Sequence, residues 1–298
     1  MVQSVEQASP HPSMTQPFQL RPVHGKGSGL IATETIERGT RIIEEAPLLY
    51  VALNSKVDDD QYVAEMADKF DQLSDADAKV FDGLRCSLSK VNEYNDLWLA
   101  SFRQKAMAKA RAVSSSGTID EDDLKAIDQL CATAIRRLVV FHTNCVGVTG
   151  LDPNPGNGVF ETFSRLNHAC NPNTARHFNL ALGKLTVHAV RQVAKGEELT
   201  TSYIDVPART SKCERASKLM KTWEIDCTCP ACTGPTALHS EHRRAKMQEL
   251  DECLTVYKDQ QEQGMAGPDD AQEALVIAEE IRGLMHDEGV LDSQLAER

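Results

Sequence analysis

The chain has 298 residues, room for one large domain or two small ones, and its 41% hydrophobic and 26% charged content suits a folded protein with a buried core. No apolar run approaches the ~20 residues of a membrane span, which excludes a helical membrane anchor as a reading of these residues. The net charge of −12 argues against direct nucleic-acid binding, which needs a positive surface. It favours attraction of a basic peptide, although the plainer reading is that it keeps the chain soluble.

In chain order, residues 1–16 are polar and proline-containing. They read as a flexible tail without the basic and apolar regions of a secretory signal, so the expected location is intracellular, in nucleus, cytoplasm or both. Residues 18–53 alternate apolar and polar stretches between glycine-rich turns and predict short strands. Residues 57–140 predict helices: Val63, Met66, Phe70 and Leu73 recur at helical spacing, as do Leu124, Ile127, Leu130, Ala134 and Leu138. The run SSSG at 114–117 is a flexible break between them. Strand character returns over about 141–204, where LTVHAV and ELTTSYI are β-prone. Residues 206–234 predict a helix and then a cysteine cluster. The region 238–298 predicts an antiparallel helix pair, with stripes at Met247, Leu250, Leu254, Tyr257 and at Leu275, Ala278, Ile281, Met285. GMAGPDD separates the two, with Asp269 or Asp270 as N-cap.

Nine cysteines, an odd number without a secretory signal, argue against a disulfide framework. Cys227, Cys229 and Cys232 form a Cys-x-Cys-x-x-Cys cluster that can hold three corners of a tetrahedral zinc site. Cys170, in another polar turn, is the best candidate for the fourth ligand. Three more segments carry candidate chemistry. Gly25-Lys26-Gly27-Ser28-Gly29 lets backbone approach a ligand, although such turns are usually only turns. The P-loop and Rossmann spacings are both absent. Arg165-Leu166-Asn167-His168-Ala169-Cys170-Asn171-Pro172-Asn173 offers donors and acceptors fit for a polar ligand, or is a turn around a satisfied histidine. Gly196-Glu197-Glu198-Leu199-Thr200-Thr201-Ser202-Tyr203-Ile204-Asp205 ends a strand on a tyrosine, a position commonly half-buried in a core.

Taken together and in this order, the four segments resemble the SET domain and its post-SET zinc module. The long helical stretch before Asn167 and the Trp223 upstream of the cysteines resemble the SET–MYND group and its fungal relatives. The resemblance implies an α+β fold: small curved sheets in which the Tyr203 strand end threads under Asn167–His168 as a pseudoknot. It also implies a SET domain over 17–205 with a helical insertion at about 54–140, a zinc-binding post-SET segment over 206–234 and a C-terminal helical region over 235–298. The implied activity is S-adenosylmethionine-dependent methylation of protein lysine side chains, on a basic, lysine-containing substrate, histone or non-histone. Lys26, Gly27, Ser28, Asn144, Asn167, His168, Tyr203 and Ile225 would contact S-adenosylmethionine. Tyr203 would stand at the methyl-transfer centre, and Cys170 would join Cys227, Cys229 and Cys232 on zinc. The nucleophile must be a neutral amine, although free lysine has a pKa of about 10.4. An apolar channel and a nearby cation disfavour the ammonium form.

Two features depart from the resemblance. Ile225 stands two residues before Cys227, where many relatives place an aromatic ring against adenine. No MYND module interrupts the chain, since the insertion holds only Cys86 and Cys131. Two alternatives stay open: a SET scaffold that binds a partner without transferring methyl groups, and a SET-fold enzyme acting on a small molecule. A narrow channel ending at Tyr203 favours lysine, and a broad pocket favours a small substrate.

Overall fold

A computed structural model describes residues 16–52, 59–114, 118–148, 155–204, 210–265 and 267–290. Residues 1–15 of the tail expected over 1–16, most of the SSSG break and Asp205 lie outside these residues. Strands β1 (Phe18–Val23) and β2 (Gly27–Ala32) form an antiparallel hairpin, and β3 (Arg41–Glu45) and β4 (Leu49–Ala52) follow. Helices α1 (Asp59–Asp71), α2 (Asp75–Asp82), α3 (Leu88–Val113) and α4 (Glu121–Asn144) then interrupt the β structure. It resumes with β5 (Val146–Val148), β6 (Gly156–Val159), β7 (Asn167–His168), β8 (Thr174–Asn179), β9 (Lys184–Ala189) and β10 (Glu198–Thr201). Helices α5 (Lys212–Trp223), α6 (Pro230–Thr233), α7 (Ala237–Glu262) and α8 (Pro268–Glu288) complete the order.

The strands make three small sheets, ordered β1-β2-β10-β7, β3-β9-β8 and β4-β6-β5. One core joins them, built on Leu30, Ile36, Phe160, Leu166, Val187 and Leu199. Only β4 shows the period-2 alternation of a strand with one face covered, while β9 and β10 carry runs of three buried residues. The β10 strand lies between β2 and β7 and pairs with β7 in parallel, Thr200 opposite Asn167 and Thr201 opposite His168. This pairing sets the two polar motifs side by side although the paired residues are 33 positions apart.

The inserted helices have a second core, on Val63, Met66, Phe81, Ile135, Leu138 and Phe141. Asp120 starts α4 by accepting from the Asp122 and Asp123 amides at 2.9 and 2.8 Å, which satisfies orphan donors of the first turn. The return of strand character expected from about 141 is corrected: α4 runs on to Asn144, because Val139, Val140 and Phe141 are buried in helical register. The expected α4 stripe shifts as well. Cys131 and Ile135 face the core, and Leu130 is 63% exposed. Steps of four residues from Ile127 follow the buried face more closely than the step to Leu130.

The α7·α8 pair is held by Met247, Leu250, Ile281, Met285 and Val290. Leu275 and Ala278 are exposed, and Ile277 and Leu284 pack instead, one position off the expected stripe. The α8 N-terminus also differs from expectation. Gly267 precedes Pro268, whose missing N–H needs no partner at a helix start. Asp270 sits one turn in, with its carboxylate accepting from the Gly267 amide at 2.7 Å.

The inserted helices bury a titratable group, His142, in the last turn of α4. Its Nε2 meets the Tyr62 hydroxyl at 2.6 Å and its Nδ1 the Tyr94 hydroxyl at 2.9 Å. Burial pushes its pKa down to about 4. The unfolded imidazole takes a proton near pH 6.5 and the folded one resists until about pH 4, so stability present above pH 6.5 is lost as pH falls through that window. Calorimetric melting from pH 7 to pH 4 should reveal a loss of about 3 kcal/mol from this group. His142→Phe should lower the melting temperature at neutral pH and flatten the dependence between pH 6.5 and 4; an unchanged slope would remove His142 as its source.

Candidate active site and cysteine cluster

The glycine-rich turn joins β1 to β2, with Gly25 and Gly27 at φ of +71° and +76°, a conformation that costs glycine little. Its neighbour across the sheet is Asn167. The Asn167 amide donates to the Ser28 carbonyl at 3.1 Å and to Glu198 Oε1 at 2.8 Å, and Lys26 Nζ binds Glu198 Oε2 at 2.8 Å. One carboxylate from the third motif thus holds residues from the first two. Close approach of the strands depends on Gly29, where an added Cβ would lie 2.7 Å from Asn167 Nδ2 and 2.8 Å from Glu198 Oε1.

His168 is buried and has no free ring nitrogen. Its Nδ1 accepts from the Tyr203 amide at 3.1 Å, so the ring proton resides on Nε2, which lies 3.3 Å from Cys170 Sγ and donates to it. Burial pushes its pKa down to about 4, so the ring is neutral. Any contact of His168 with a ligand therefore falls to its backbone. Asn173 is also committed internally: its Oδ1 accepts from the Thr200 amide at 2.8 Å and its Nδ2 donates to the Glu198 carbonyl at 2.8 Å.

The Tyr203 hydroxyl donates to the Leu166 carbonyl at 2.7 Å. Its ring centroid lies 5.5 Å from His168 and 5.3 Å from Trp223. Burial pushes its pKa up to about 12, so the hydroxyl stays protonated at physiological pH. Beside it is a cavity of about 230 Å³, small for a ligand pocket. Its walls include Asn144 and Cys145 from the end of α4, Phe163, Tyr203 and Trp223. Asn144 donates its amide hydrogens to the Val140 and Arg85 carbonyls at 2.7 and 2.9 Å, which leaves its Oδ1 as an acceptor. Ile225 is half-buried next to this region but is not among the cavity walls.

Trp223 and Arg176, both on the cavity wall, were missed as site residues by sequence reasoning. Trp223 Nε1 donates to the Thr143 carbonyl at 2.9 Å, and its own carbonyl accepts from Arg85 at 2.9 Å. Its position before the cysteines was a usable signal. Arg176 donates to the Ser202 carbonyl at 3.1 Å and lies 5.7 Å from the Phe163 ring centroid. Nothing in the alternation of β8 marks it.

The structure brings Cys170 to the other three cysteines: all four sulfurs lie within 4.8 Å of one another. Cys170 Sγ is 3.9 Å from Cys227 Sγ and 3.6 Å from Cys232 Sγ. Four thiolates on one tetrahedral ion with bonds of about 2.3 Å stand about 3.8 Å apart, so the set fits a divalent metal. Cys229 accepts from the Cys170 amide at 3.4 Å, and the fully buried Arg215 reaches Cys232 Sγ at 3.9 Å. That cation offsets the negative charge of a thiolate cluster. The Arg215 Nε has no hydrogen-bond partner, a cost the cluster's charge would help to offset.

The family model described as SET domain matches residues 27–204. The chain is 26% identical over 223 residues to histone-lysine N-methyltransferase set5 of Schizosaccharomyces pombe, covering 75% of this chain and 52% of that protein. It is 25% identical over 219 residues to the putative SET domain-containing protein L678 of Acanthamoeba polyphaga mimivirus, covering 72% and 76%. It is 32% identical over 112 residues to protein-lysine N-methyltransferase SMYD4 of Homo sapiens, covering 37% and 14%. The chain thus spans about half the length of the set5 protein and a small part of SMYD4.

The Gly29 contact yields a test. Gly29→Ala should lower the urea midpoint by the equivalent of about 1–3 kcal/mol, because the Asn167–Glu198 pair and the Val23 side chain must shift to admit a methyl group. A midpoint within error of wild type would show that the two motifs are not in close contact.

Proposed function

The chain belongs to the SET-domain family, and we propose that it is an S-adenosylmethionine-dependent methyltransferase acting on protein lysine side chains. The observation that carries the reading is the position of Tyr203: its hydroxyl is fixed by the Leu166 carbonyl at the wall of a small cavity beside the Asn167–His168 strand. The cavity's size favours a lysine side chain over a bulkier small-molecule substrate. The bound cofactor would supply a methyl group already activated on a sulfonium. Its amino-acid portion finds suitable groups in the open turn at Lys26, Gly27 and Ser28, at the Asn144 Oδ1 and at the backbone of Asn167 and His168, with Tyr203 and Ile225 closing the remaining sides. Lys26 is paired with Glu198, so a carboxylate ligand would share that ammonium or displace Glu198 from it.

No proton acceptor is required of the protein if the amine's proton leaves to water. The work left to the chain is alignment, for which a neutral tyrosine hydroxyl and the Leu166 carbonyl are suited. The partner implied is a basic, lysine-containing protein, and the net charge of −12 supports its attraction. We assign zinc to the four cysteines. The ion would be structural, since four thiolates leave it no open position. Among the described residues no helix is long and apolar enough to cross a membrane.

Two measurements test these assignments. Tyr203→Phe keeps the ring and most of its packing, so melting temperature and calorimetric S-adenosylmethionine affinity should stay near wild type. Single-turnover transfer to a protein array should fall by about 100-fold or change in methylation state. Wild-type transfer with reduced stability would return Tyr203 to a packing role. Elemental analysis of purified protein should find about one zinc per chain. Cys229→Ser should lose that ion and loosen residues 210–234 before the inserted helices, because metal binding contributes to folding there; a folded, active protein without zinc would refute the assignment.

A further inference from the structure

The cavity at Tyr203 is electrostatically one-sided. Among the described residues Arg176 is its only charged wall residue, and no carboxylate lines it. The guanidinium spends one donor on the Ser202 carbonyl and rests against Phe163; no ion pair is recorded for it among the described residues. The remaining titratable wall groups are neutral: burial pushes the Cys145 thiol up to about 11 and the Tyr203 hydroxyl up to about 12. Beyond the wall, Arg85 and Glu198 also act on Tyr203, but Glu198 is occupied by Lys26 and Asn167. Among the described residues, an ammonium entering this space meets the Arg176 guanidinium on the wall and no carboxylate beside it.

We propose that Arg176 acts on the incoming lysine as a charge that favours loss of its ammonium proton, so that the side chain is held in the cavity as the free amine. The inference rests on the lysine reading above and assigns Arg176 a role in it. In this step an Nζ–H bond of the lysine breaks, the proton passes to water and the electron pair stays on nitrogen. Arg176 and Tyr203 line the same cavity of about 230 Å³, so a bound amine shares one small space with the guanidinium. At an effective dielectric near 20, a positive charge about 10 Å from an amine lowers its pKa by about one unit. The arrangement trades affinity for the ammonium form against a larger fraction of nucleophile.

The test titrates the bound lysine itself. The peptide that wild-type protein methylates best on an array is synthesised with ¹³C at its lysine Cε. It is bound in the presence of S-adenosylhomocysteine, which lacks the sulfonium charge, and its shift is followed against pH. In wild type the lysine should titrate about one unit lower than in Arg176→Met or in Arg176→Gln, which keeps a donor for the Ser202 carbonyl. Arg176→Lys, which restores a charge, should return the midpoint toward wild type. The single-turnover pH profiles should move in the same order, with the neutral variants shifted to higher pH. Equal midpoints in wild type, Gln and Lys proteins that bind the peptide would overturn the role of Arg176 and leave the methyltransferase reading intact. Absence of transfer to any protein on the array by cofactor-binding wild type would remove both.

Discussion

The His168 imidazole is the point on which this architecture turns. A neutral ring has one donor and one acceptor, and both are committed: the acceptor to the Tyr203 amide, the donor to Cys170 Sγ. Through one buried side chain, the strand that ends at the candidate transfer centre is tied to the loop that supplies a cysteine to the cluster. A buried imidazole with either nitrogen unpaired would be costly, so the Tyr203 strand end and the cysteine cluster are not independent. Parallel pairing of β7 with β10 repeats the same link in the backbone.

Two outlying regions brace this junction. The inserted helices reach it through Arg85 and Thr143, which hold the Trp223 backbone and indole. The next residue, Glu224, adopts φ +56°, uncommon for a residue with a side chain. Hydrogen bonds from Ser87, at 2.6 Å, and from Ser89 hold its carboxylate at the start of α3. From the opposite side, the α7·α8 pair contributes a buried Arg244–Glu288 ion pair at 2.9 Å. Arg244 donates onward to the Cys170 carbonyl at 3.0 Å, and Asn171 donates to the Glu288 carbonyl at 2.8 Å. A buried pair is weak evidence for net stability, but removal of one member leaves an uncompensated charge. The C-terminal helices are therefore coupled to the cysteine loop as well as to each other.

Several motif residues do structural work that a ligand-centred reading overlooks. Glu198 holds Lys26 and Asn167 together, and Asn173 secures β10. The Asn167 and His168 side chains are taken up in the fold's own hydrogen bonds, so their value to a ligand lies in the backbone and in the Asn167 carbonyl oxygen. The conspicuous polar residues of the motifs thus build the frame, and the cavity itself is walled largely by the end of α4, Phe163, Tyr203 and Trp223.

The sequence alone was sufficient for the SET reading, the order of the β and helical regions and the cluster of Cys227, Cys229 and Cys232, because these rest on motifs and local chemistry. Glycines mark tight turns, thiolates cluster at metal-ligand spacing, and apolar residues repeat at strand or helix periods. It was less informative about which helix face is buried. Leu130 and Leu275 fit a periodic stripe yet face solvent, since a 3.6-residue repeat tolerates a one-position rotation that only the neighbouring helix can exclude. Nor could it show that α4 continues to Asn144, where burial of Val139, Val140 and Phe141 outweighs β-branched propensity. The convergence of Arg176, Cys145 and Trp223 around Tyr203 was decided entirely in three dimensions. These residues come from a strand, a helix end and a second helix far apart in the chain, and no local pattern records that the sheets and the insertion close on the same small space.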